Sequence, residues 1–119
     1  MPKTKKSKNE DLVELIVKAA EQKQAVDIKT VHISKTSSIV DVLILCSAES
    51  VPQLRAIEQE INKQLRKHKI KMIKWEGLAK SGWMVLDLGN IVIHLMGSAE
   101  RDYYNLEGLW EKDAIIYHY

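Results

Sequence analysis

The segment IVDVLILCS, residues 39–47, constrains the fold of this chain most. It is an almost continuous apolar run, rich in β-branched side chains, and Asp41 is its single acidic residue. A strand with one face in water would carry polar residues at every second position, and this run does not. It therefore predicts a strand that is buried on both faces and lies in the middle of a sheet.

Two longer segments repeat apolar residues at helical spacing. The first begins near Ser7 or Asn9 and ends near Gln24. The second begins at Ser50, a residue type that caps helix N-termini, and ends near His68. These patterns predict one helix before the sheet begins and one helix directly after its central strand.

Alternating apolar and polar residues predict the remaining strands. Gly89 and Asn90 form a two-residue hairpin signal between the last two of them. The predicted strands beside the central one cover residues 26–33, with a break near Thr30, and residues 70–76, 83–88 and 91–96.

A short helix from Ser98 follows, so that helices and strands alternate until a hairpin closes the sheet. This order predicts a single α/β domain with a mixed five-stranded sheet flanked by helices. We expect the domain to span residues 9–110, between a disordered basic tail at 1–8 and a C-terminal tail at 111–119.

Asp87 and His94 are polar residues inside the two apolar halves of the hairpin. The two-residue turn places residue 87 opposite 92 and residue 85 opposite 94. Asp87 and His94 would then lie diagonally on one face, with about 7 Å between their backbones. A structural contact between them is favoured over a catalytic dyad, because no third group completes a dyad.

The sequence lacks the motifs of the common enzymatic sites. Its four histidines have no metal-ligand spacing, and it contains no glycine-rich phosphate loop. The strand acids Asp41 and Asp87 come one per strand, whereas a nucleotidyl transferase needs clustered carboxylates to hold metal ions. Cys46 is expected to be a small buried hydrophobe. We therefore expect no catalytic residues, no metal and no cofactor.

The basic residues gather in two places. Lys3, Lys5, Lys6 and Lys8 lie in the N-terminal tail, and without them the chain is close to neutral. A second cluster, Lys63–Lys74, contains six lysines and arginines. A solvated helix end is the favoured interpretation of that cluster, and a patch that contacts RNA phosphates is the alternative.

The chain has features of a cytoplasmic protein. It contains no apolar stretch long enough to cross a membrane, and the segment MPKTKKSK lacks the apolar core of a secretion signal. A single cysteine cannot form an internal disulfide, which fits a reducing compartment.

The aromatic residues suit a surface that binds another protein. The chain has three Trp and four Tyr but no Phe. Trp and Tyr combine apolar area with a polar group, as interfaces require. Several of them gather in the last third of the chain, where they either fill a small core or protrude toward a partner.

The motifs SSIVDVLILCSAES, SGWMVLDLGNIVIHLM and ERDYYNLEGLW, in this order, resemble the ribosomal silencing factor (Iojap) family. The resemblance covers about residues 10–110. It is most specific at Trp83, Asp87, Gly89 and His94 and in the final Tyr-Tyr segment. It implies a nucleotidyltransferase-like fold without transferase motifs.

The resemblance also implies a function. Family members bind the large-subunit ribosomal protein uL-fourteen, block the association of the two ribosomal subunits and repress translation without turning over a substrate. The resemblance also implies a homodimer when no ribosome is bound. A peripheral contact to ribosomal RNA stays an open alternative. The alternatives are a residual nucleotide-binding or transferase enzyme on the same fold and an RNA-binding ribosome assembly factor.

The partner-binding residues are carried over from the family by position. Trp83 and Tyr104 would be rigid aromatic anchors, and Leu88 would fill a pocket beside them. Because the expected partner is basic, a polar rim would surround these anchors. The residues assigned to that rim are Glu76, Asp87, Glu100 and Arg101.

Overall fold

The computed structural model describes residues 8–33, 41–109 and 114–119. Within these residues the helices are α1 (Lys8–Gln22), α2 (Val51–Lys67) and α3 (Ser98–Tyr104). The strands are β1 (Val26–Ile33), β2 (Val42–Ala48), β3 (Trp75–Glu76), β4 (Trp83–Asp87), β5 (Ile91–Gly97) and β6 (Ala114–His118). Short 3-10 turns cover Ala79–Ser81 and Leu106–Leu109. In the described part of the chain, no helix has the length and apolarity needed to cross a membrane.

The strands form one mixed sheet in the order β3-β4-β5-β2-β1-β6. β2 and β5 run parallel, and the other neighbouring pairs are antiparallel. The α/β class and the mixed sheet are confirmed. All seven residues of β2 are buried, as its unbroken apolar run predicts for a strand covered on both sides.

The predicted number of five strands is wrong, because β6 adds a sixth. It lies within residues 111–119, which we expected to be a tail, and pairs antiparallel with β1 from Lys29 opposite His118 to Ile33 opposite Ala114. Ala114 and Ile116 pack against the small apolar cluster beneath β1. At the other end of the chain, residues 1–7 of the predicted basic tail lie outside the described residues.

The strand predicted at residues 70–76 is also corrected. Strand pairing is confined to Trp75 and Glu76, which lie opposite Leu86 and Val85. After α2, Lys69 adopts a left-handed conformation (φ 65°), and Ile70 donates its N–H back to the carbonyl of Leu65 at 3.0 Å. This wrapped helix end starts a loop whose isoleucines, Ile70 and Ile73, pack against the core without strand partners.

The N-terminus of α2 is fixed as the sequence predicts. The Ser50 hydroxyl accepts a hydrogen bond from the Gln53 N–H at 3.2 Å, and the Gln53 side-chain oxygen accepts one from the Glu49 N–H at 2.9 Å. Gln53 also donates to the carbonyl of Gln24 at 2.8 Å. One side chain therefore ties the start of α2 to the turn that follows α1.

The two faces of the sheet carry cores of different size. α1 and α2 cover one face and enclose a large apolar cluster that includes Ile16, Ile57, Ile61 and, from the sheet, Ile44 and Ile93. The buried members of the cluster on the opposite face are Val31, Ile33, Leu43, Leu45 and Val92. The second face is therefore the thinner side of the domain.

Candidate protein-binding surface

Four aromatic rings lie together on the thinner side of the sheet. The ring of Trp83 lies 4.6 Å from that of Tyr104, centroid to centroid, and 6.0 Å from that of His94. Tyr103 contacts Tyr104 edge to face at 5.0 Å. Tyr103 is 81% exposed and Tyr104 49% exposed. We call Trp83, His94, Tyr103 and Tyr104 the aromatic surface.

Two glycines and one carboxylate fix the base of the aromatic surface. Gly82 precedes Trp83 in a left-handed conformation (φ 80°), and its carbonyl accepts the N–H of Gly97 at 2.9 Å. The carboxylate of Glu100 lies against both glycines, so that a Cβ at Gly82 would be 2.5 Å from Glu100 Cδ. The start of β4 and the start of α3 are thereby held together, and with them Trp83 and Tyr104.

His94 serves as a neutral acceptor within this surface. The indole N–H of Trp83 donates to His94 Nδ1 at 3.0 Å, so this nitrogen carries no proton. Burial lowers the pKa of His94 below its usual value, which favours the same neutral form. The imidazole therefore orients the Trp83 ring.

The hairpin register is as predicted, but the contact between Asp87 and His94 is not formed. Val85 lies opposite His94, and Asp87 lies opposite Val92. The Asp87 carboxylate accepts the N–H of Gly89 at 2.8 Å and thus stabilises the turn, while His94 binds Trp83. The two side chains serve separate structural roles, and they do not form a dyad.

Arg101 corrects the predicted polar rim. It is 3% exposed, and its Nη1 donates to the Ser47 hydroxyl at 2.9 Å. Its Nη2 lies 3.6 Å from the carboxylate of Asp27. Asp27 lies at an irregularity of β1 between Val26 and Lys29, with φ 51°. The break predicted near Thr30 is therefore displaced toward the start of the strand, and Thr30 itself pairs regularly with Ile44. Arg101 therefore anchors α3 to β2 and β1 from within.

The other rim residues lie at the surface or beside it. Glu76 is exposed on β3, Asp87 is exposed at the hairpin turn, and Glu100 is half-buried against its glycines. Leu88 does not join the aromatic surface, because it packs partly against the large cluster under α1 and α2. At about 3.3 Å per residue, it lies roughly 17 Å along the chain from Trp83.

Tyr103 and His94 are the members of this surface that the sequence assignment missed. Tyr103 adjoins Tyr104, and the Tyr-Tyr pair was a visible signal for it. His94 lies diagonally across the hairpin from Trp83, whose direct partner is Met96, and only the full register reveals that neighbour. Trp110, another aromatic residue of the last third of the chain, lies outside the described residues.

A crevice at the carboxyl ends of β2 and β5 is where an open α/β sheet would bind a phosphate. Its volume is about 250 Å³, and Ser50, Lys80, Gly97 and Glu100 are among its lining residues. The Ser50 hydroxyl caps α2, and the Glu100 carboxylate, which would repel an anion, projects between the glycines. These contacts disfavour phosphate binding.

Two other observations concern chemistry on the described residues. No group of His, Cys, Asp and Glu side chains in residues 8–33, 41–109 and 114–119 is arranged to hold a metal ion. Burial raises the pKa of the Cys46 thiol to about 12, so this cysteine stays protonated and unreactive. The predicted role of Cys46 as a buried hydrophobe is confirmed, because its side chain lies in the large cluster.

The sequence of this chain matches a family of known proteins. The model of a family described as "Ribosomal silencing factor during starvation" matches residues 5–117. A ribosomal silencing factor RsfS from Halalkalibacterium halodurans is 34% identical over 102 residues, which cover 86% of this chain and 87% of that protein. The mouse protein named "Mitochondrial assembly of ribosomal large subunit protein 1" is 29% identical over 82% of this chain and 44% of its own length.

A solved structure supports the same assignment. The crystal structure of a protein from Chromobacterium violaceum superposes with a TM-score of 0.80 at 28% identity and covers 88% of both chains. The fold and the sequence match therefore extend over the same, nearly complete length. From these agreements we conclude that this chain belongs to the ribosomal silencing factor (Iojap) family.

Proposed function

We propose that this protein binds the large ribosomal subunit through ribosomal protein uL-fourteen, prevents the small subunit from joining, and so represses translation in the cytoplasm. Membership of the ribosomal silencing factor family supports a role at the ribosome, and the bacterial relatives carry the name ribosomal silencing factor. The proposal adds the partner protein and the steric mechanism.

The observation that carries the proposal is the aromatic surface. Trp83 and Tyr104 are held by ring contacts, by the Trp83–His94 hydrogen bond and by the glycine–Glu100 base. Rings that are already ordered lose little conformational entropy on binding, and Trp and Tyr dominate the binding energy of many interfaces. The surface therefore suits an apolar pocket on a folded partner.

Charge around the rings fits a basic partner. Glu76 and Asp87 are exposed, and Glu100 lies between the base of β4 and that of α3. In the proposed complex these carboxylates form the rim, Leu88 contributes from the turn end of the hairpin, and Arg101 positions α3 from beneath. When no subunit is bound, the same apolar rings offer a reason for self-association into a homodimer.

Silencing by this mechanism requires a molecule large enough to keep the subunits apart, and it requires no chemical reaction. The domain measures 46 × 35 × 24 Å, so that a molecule docked where the subunits meet would hold them apart by far more than the length of a hydrogen bond. Neither nucleotide nor metal is needed for this effect, which agrees with the disfavoured phosphate crevice and the protonated Cys46.

The test is co-sedimentation of Trp83→Ala and Tyr104→Ala variants with isolated large subunits. Each substitution should weaken binding by about 2 kcal/mol or more, roughly 30-fold in Kd, and should reduce the inhibition of subunit joining measured by light scattering. Ile115→Ala, which removes an exposed apolar side chain on β6, is the matched control and should bind like the wild type.

Circular dichroism establishes whether each variant is folded. If Trp83→Ala and Tyr104→Ala are folded and still bind with wild-type affinity, the docking surface is wrong. If they bind weakly but subunit joining remains blocked, the steric mechanism is wrong while the surface stands.

A second candidate function is ribosome assembly through RNA contact. The mouse relative's name refers to assembly of the large subunit, and the six basic side chains of the Lys63–Lys74 cluster are all exposed. The co-sedimentation assay distinguishes the two functions when salt is varied. Binding through the aromatic surface should fall only moderately with salt, as its few rim carboxylates are screened. Binding through phosphate contacts of the Lys63–Lys74 cluster should fall steeply and should be lost when those side chains are neutralised.

A further inference from the structure

One hydrogen bond of the aromatic surface depends on the charge of an imidazole ring. The Trp83 indole N–H donates to His94 Nδ1 at 3.0 Å, and an indole nitrogen can only donate. Nδ1 is therefore the acceptor, and the proton of the neutral imidazole lies on Nε2. A charged imidazole carries a hydrogen on both nitrogens and accepts no bond. One added proton on Nδ1 thus removes the bond and sets two N–H groups against each other.

His94 is placed where it can gain this proton in weak acid. The ordinary pKa of histidine is about 6.5, and burial lowers the pKa of His94 below that value. The imidazole is therefore neutral near neutral pH and becomes charged only as the pH falls further. Because the side chain is half-buried, it remains in exchange with solvent protons.

Charged side chains of the surrounding elements do not set the direction of this shift. They are Glu76 on β3, Asp87 on β4, Lys29 on β1 and, on α3, Glu100, Arg101 and Asp102. Asp87 lies diagonally across the hairpin from His94, and its carboxylate accepts the Gly89 N–H. Arg101 donates to the Ser47 hydroxyl. Burial is the cause of the lowered pKa of His94, so the protonation of this ring is governed by its place beneath the surface.

The second contact of Trp83 cannot replace the bond to His94. The ring of Tyr104 lies 4.6 Å from that of Trp83, but a contact between rings offers no acceptor to the indole N–H. When His94 is charged, Trp83 has to turn its N–H toward water. Turning the indole also moves the ring face against which Tyr104 packs, so both aromatic anchors are displaced.

We infer that His94 is a pH-sensitive support of the aromatic surface: in weak acid, a proton on Nδ1 breaks its bond to Trp83, the indole leaves its docking position, and the partner is released. The inference rests on the proposed function, because it adds a control to the same surface. The charged imidazole also places a positive charge beside Trp83, which opposes a basic partner. Both effects have the same sign, so acid weakens docking and neutral pH restores it.

The change within the protein is tested by NMR of the full chain without ribosomes. Nitrogen-15 shifts of the imidazole report which ring nitrogen carries the proton, and Trp83→Phe identifies the indole N–H signal of Trp83. At about pH 7.5 we expect the proton on Nε2 of His94. On acidification the His94 shifts and the Trp83 signal should move together, with a midpoint below about pH 6.5. A proton on Nδ1 at neutral pH, or an indole signal that does not follow His94, would overturn the inference.

The effect on docking is measured by co-sedimentation with large subunits at about pH 7.5 and about pH 5.5. The matched control is His94→Asn, because the asparagine side-chain oxygen takes the position of Nδ1 and accepts a hydrogen bond at every pH. Asparagine is smaller than histidine, so a lower affinity is expected at neutral pH, and the readout is the ratio between the two pH values. Other titrating groups of the protein and of the subunit are the same in both experiments.

We expect the wild type to bind about tenfold more weakly at the lower pH, and His94→Asn to change by less than about twofold. Equal losses in the two proteins would overturn the inference, and so would an unchanged affinity of the wild type. Circular dichroism at the lower pH follows the fold. Unfolding there would also overturn the inference, since the release would then not be local.

The two proposals fail separately. If the wild type does not bind large subunits at neutral pH, the proposed function is wrong, and the NMR titration still decides whether His94 controls Trp83. If binding is strong at neutral pH but insensitive to the protonation of His94, the docking surface stands and its control by pH is wrong.

Discussion

The two faces of the sheet bury very different amounts of apolar surface. α1 and α2 seal one face, and the cluster beneath them contains most of the fully buried side chains of the described residues. The other face has a small cluster, partly covered by α3, Leu106 and β6, with the aromatic surface at its border. The comparison indicates that the first face supplies stability and the second supplies binding.

This division explains why large aromatic side chains remain exposed. If Trp83 and Tyr104 were needed to complete a core, a third long helix would be expected over them. Instead α3 has seven residues and ends at Tyr104, where Asn105 turns the chain in a left-handed conformation (φ 44°). The short helix leaves the rings at the border of the covered area, accessible from solvent.

The largest expected effect comes from removing equivalent leucines on the two faces. Leu95 lies in the large cluster and Leu43 in the small one, on neighbouring strands. A buried Leu→Ala substitution costs about 2–5 kcal/mol, depending on how well the site collapses. Leu95→Ala should fall near the upper end and Leu43→Ala near the lower end in urea unfolding, because the thinner face relaxes more easily.

Equal losses of unfolding free energy in Leu95→Ala and Leu43→Ala would contradict the proposed difference between the two faces of the sheet, since they would show that both faces are packed with equal rigidity. An unchanged slope of unfolding free energy against urea concentration is the control that both variants unfold from comparable native states.

A middle-sized effect is expected at the link between the faces, Arg101. Replacement by alanine removes the hydrogen bond to Ser47 and the ion pair with Asp27. Because Asp27 is half exposed, most of the cost should come from the buried hydrogen bond and the lost packing, about 1–3 kcal/mol of unfolding free energy. Urea unfolding measures it, with Asp27→Asn as the milder control.

The same variant also reports on binding. α3 carries Tyr104, so a loosened helix should weaken co-sedimentation with large subunits even though Arg101 itself is buried. An Arg101→Ala protein with wild-type stability and binding would contradict the anchoring role and would return this residue to the surface where the sequence assignment first placed it.

Some of the structural features on the two faces could be predicted from the sequence alone, and others could not. The central strand, the capped α2 and the hairpin register follow from local patterns, since each depends on residues close together in the chain. β6 could not be predicted in this way, because its pairing with β1 joins residues that are 81 to 89 positions apart, from Ile33 with Ala114 to Lys29 with His118, and its own alternation is short. The burial of Arg101 depends on an irregularity at Asp27, which no propensity specifies.

The candidate site shows the same dependence on distance. The family resemblance supplied Trp83 and Tyr104, and the structure brings these two rings together. It separates Leu88 from them, because successive side chains of a strand alternate between faces and Leu88 is an odd number of residues away. The family resemblance could indicate which residues are candidates for the binding site, but only the fold shows which of those residues contact one another.

The smallest expected effect on stability and binding is therefore that of Leu88→Ala. This variant tests most directly whether binding is confined to one face of the sheet. Leu88 packs partly on the large cluster, so truncation should cost about 1 kcal/mol of unfolding free energy. Reaching the partner only from the turn end, it should weaken large-subunit binding by less than about 1 kcal/mol, well below Trp83→Ala. A folded Leu88→Ala protein that binds as weakly as Trp83→Ala would mean that the interface extends around the hairpin turn, so that both faces of β4 take part in binding.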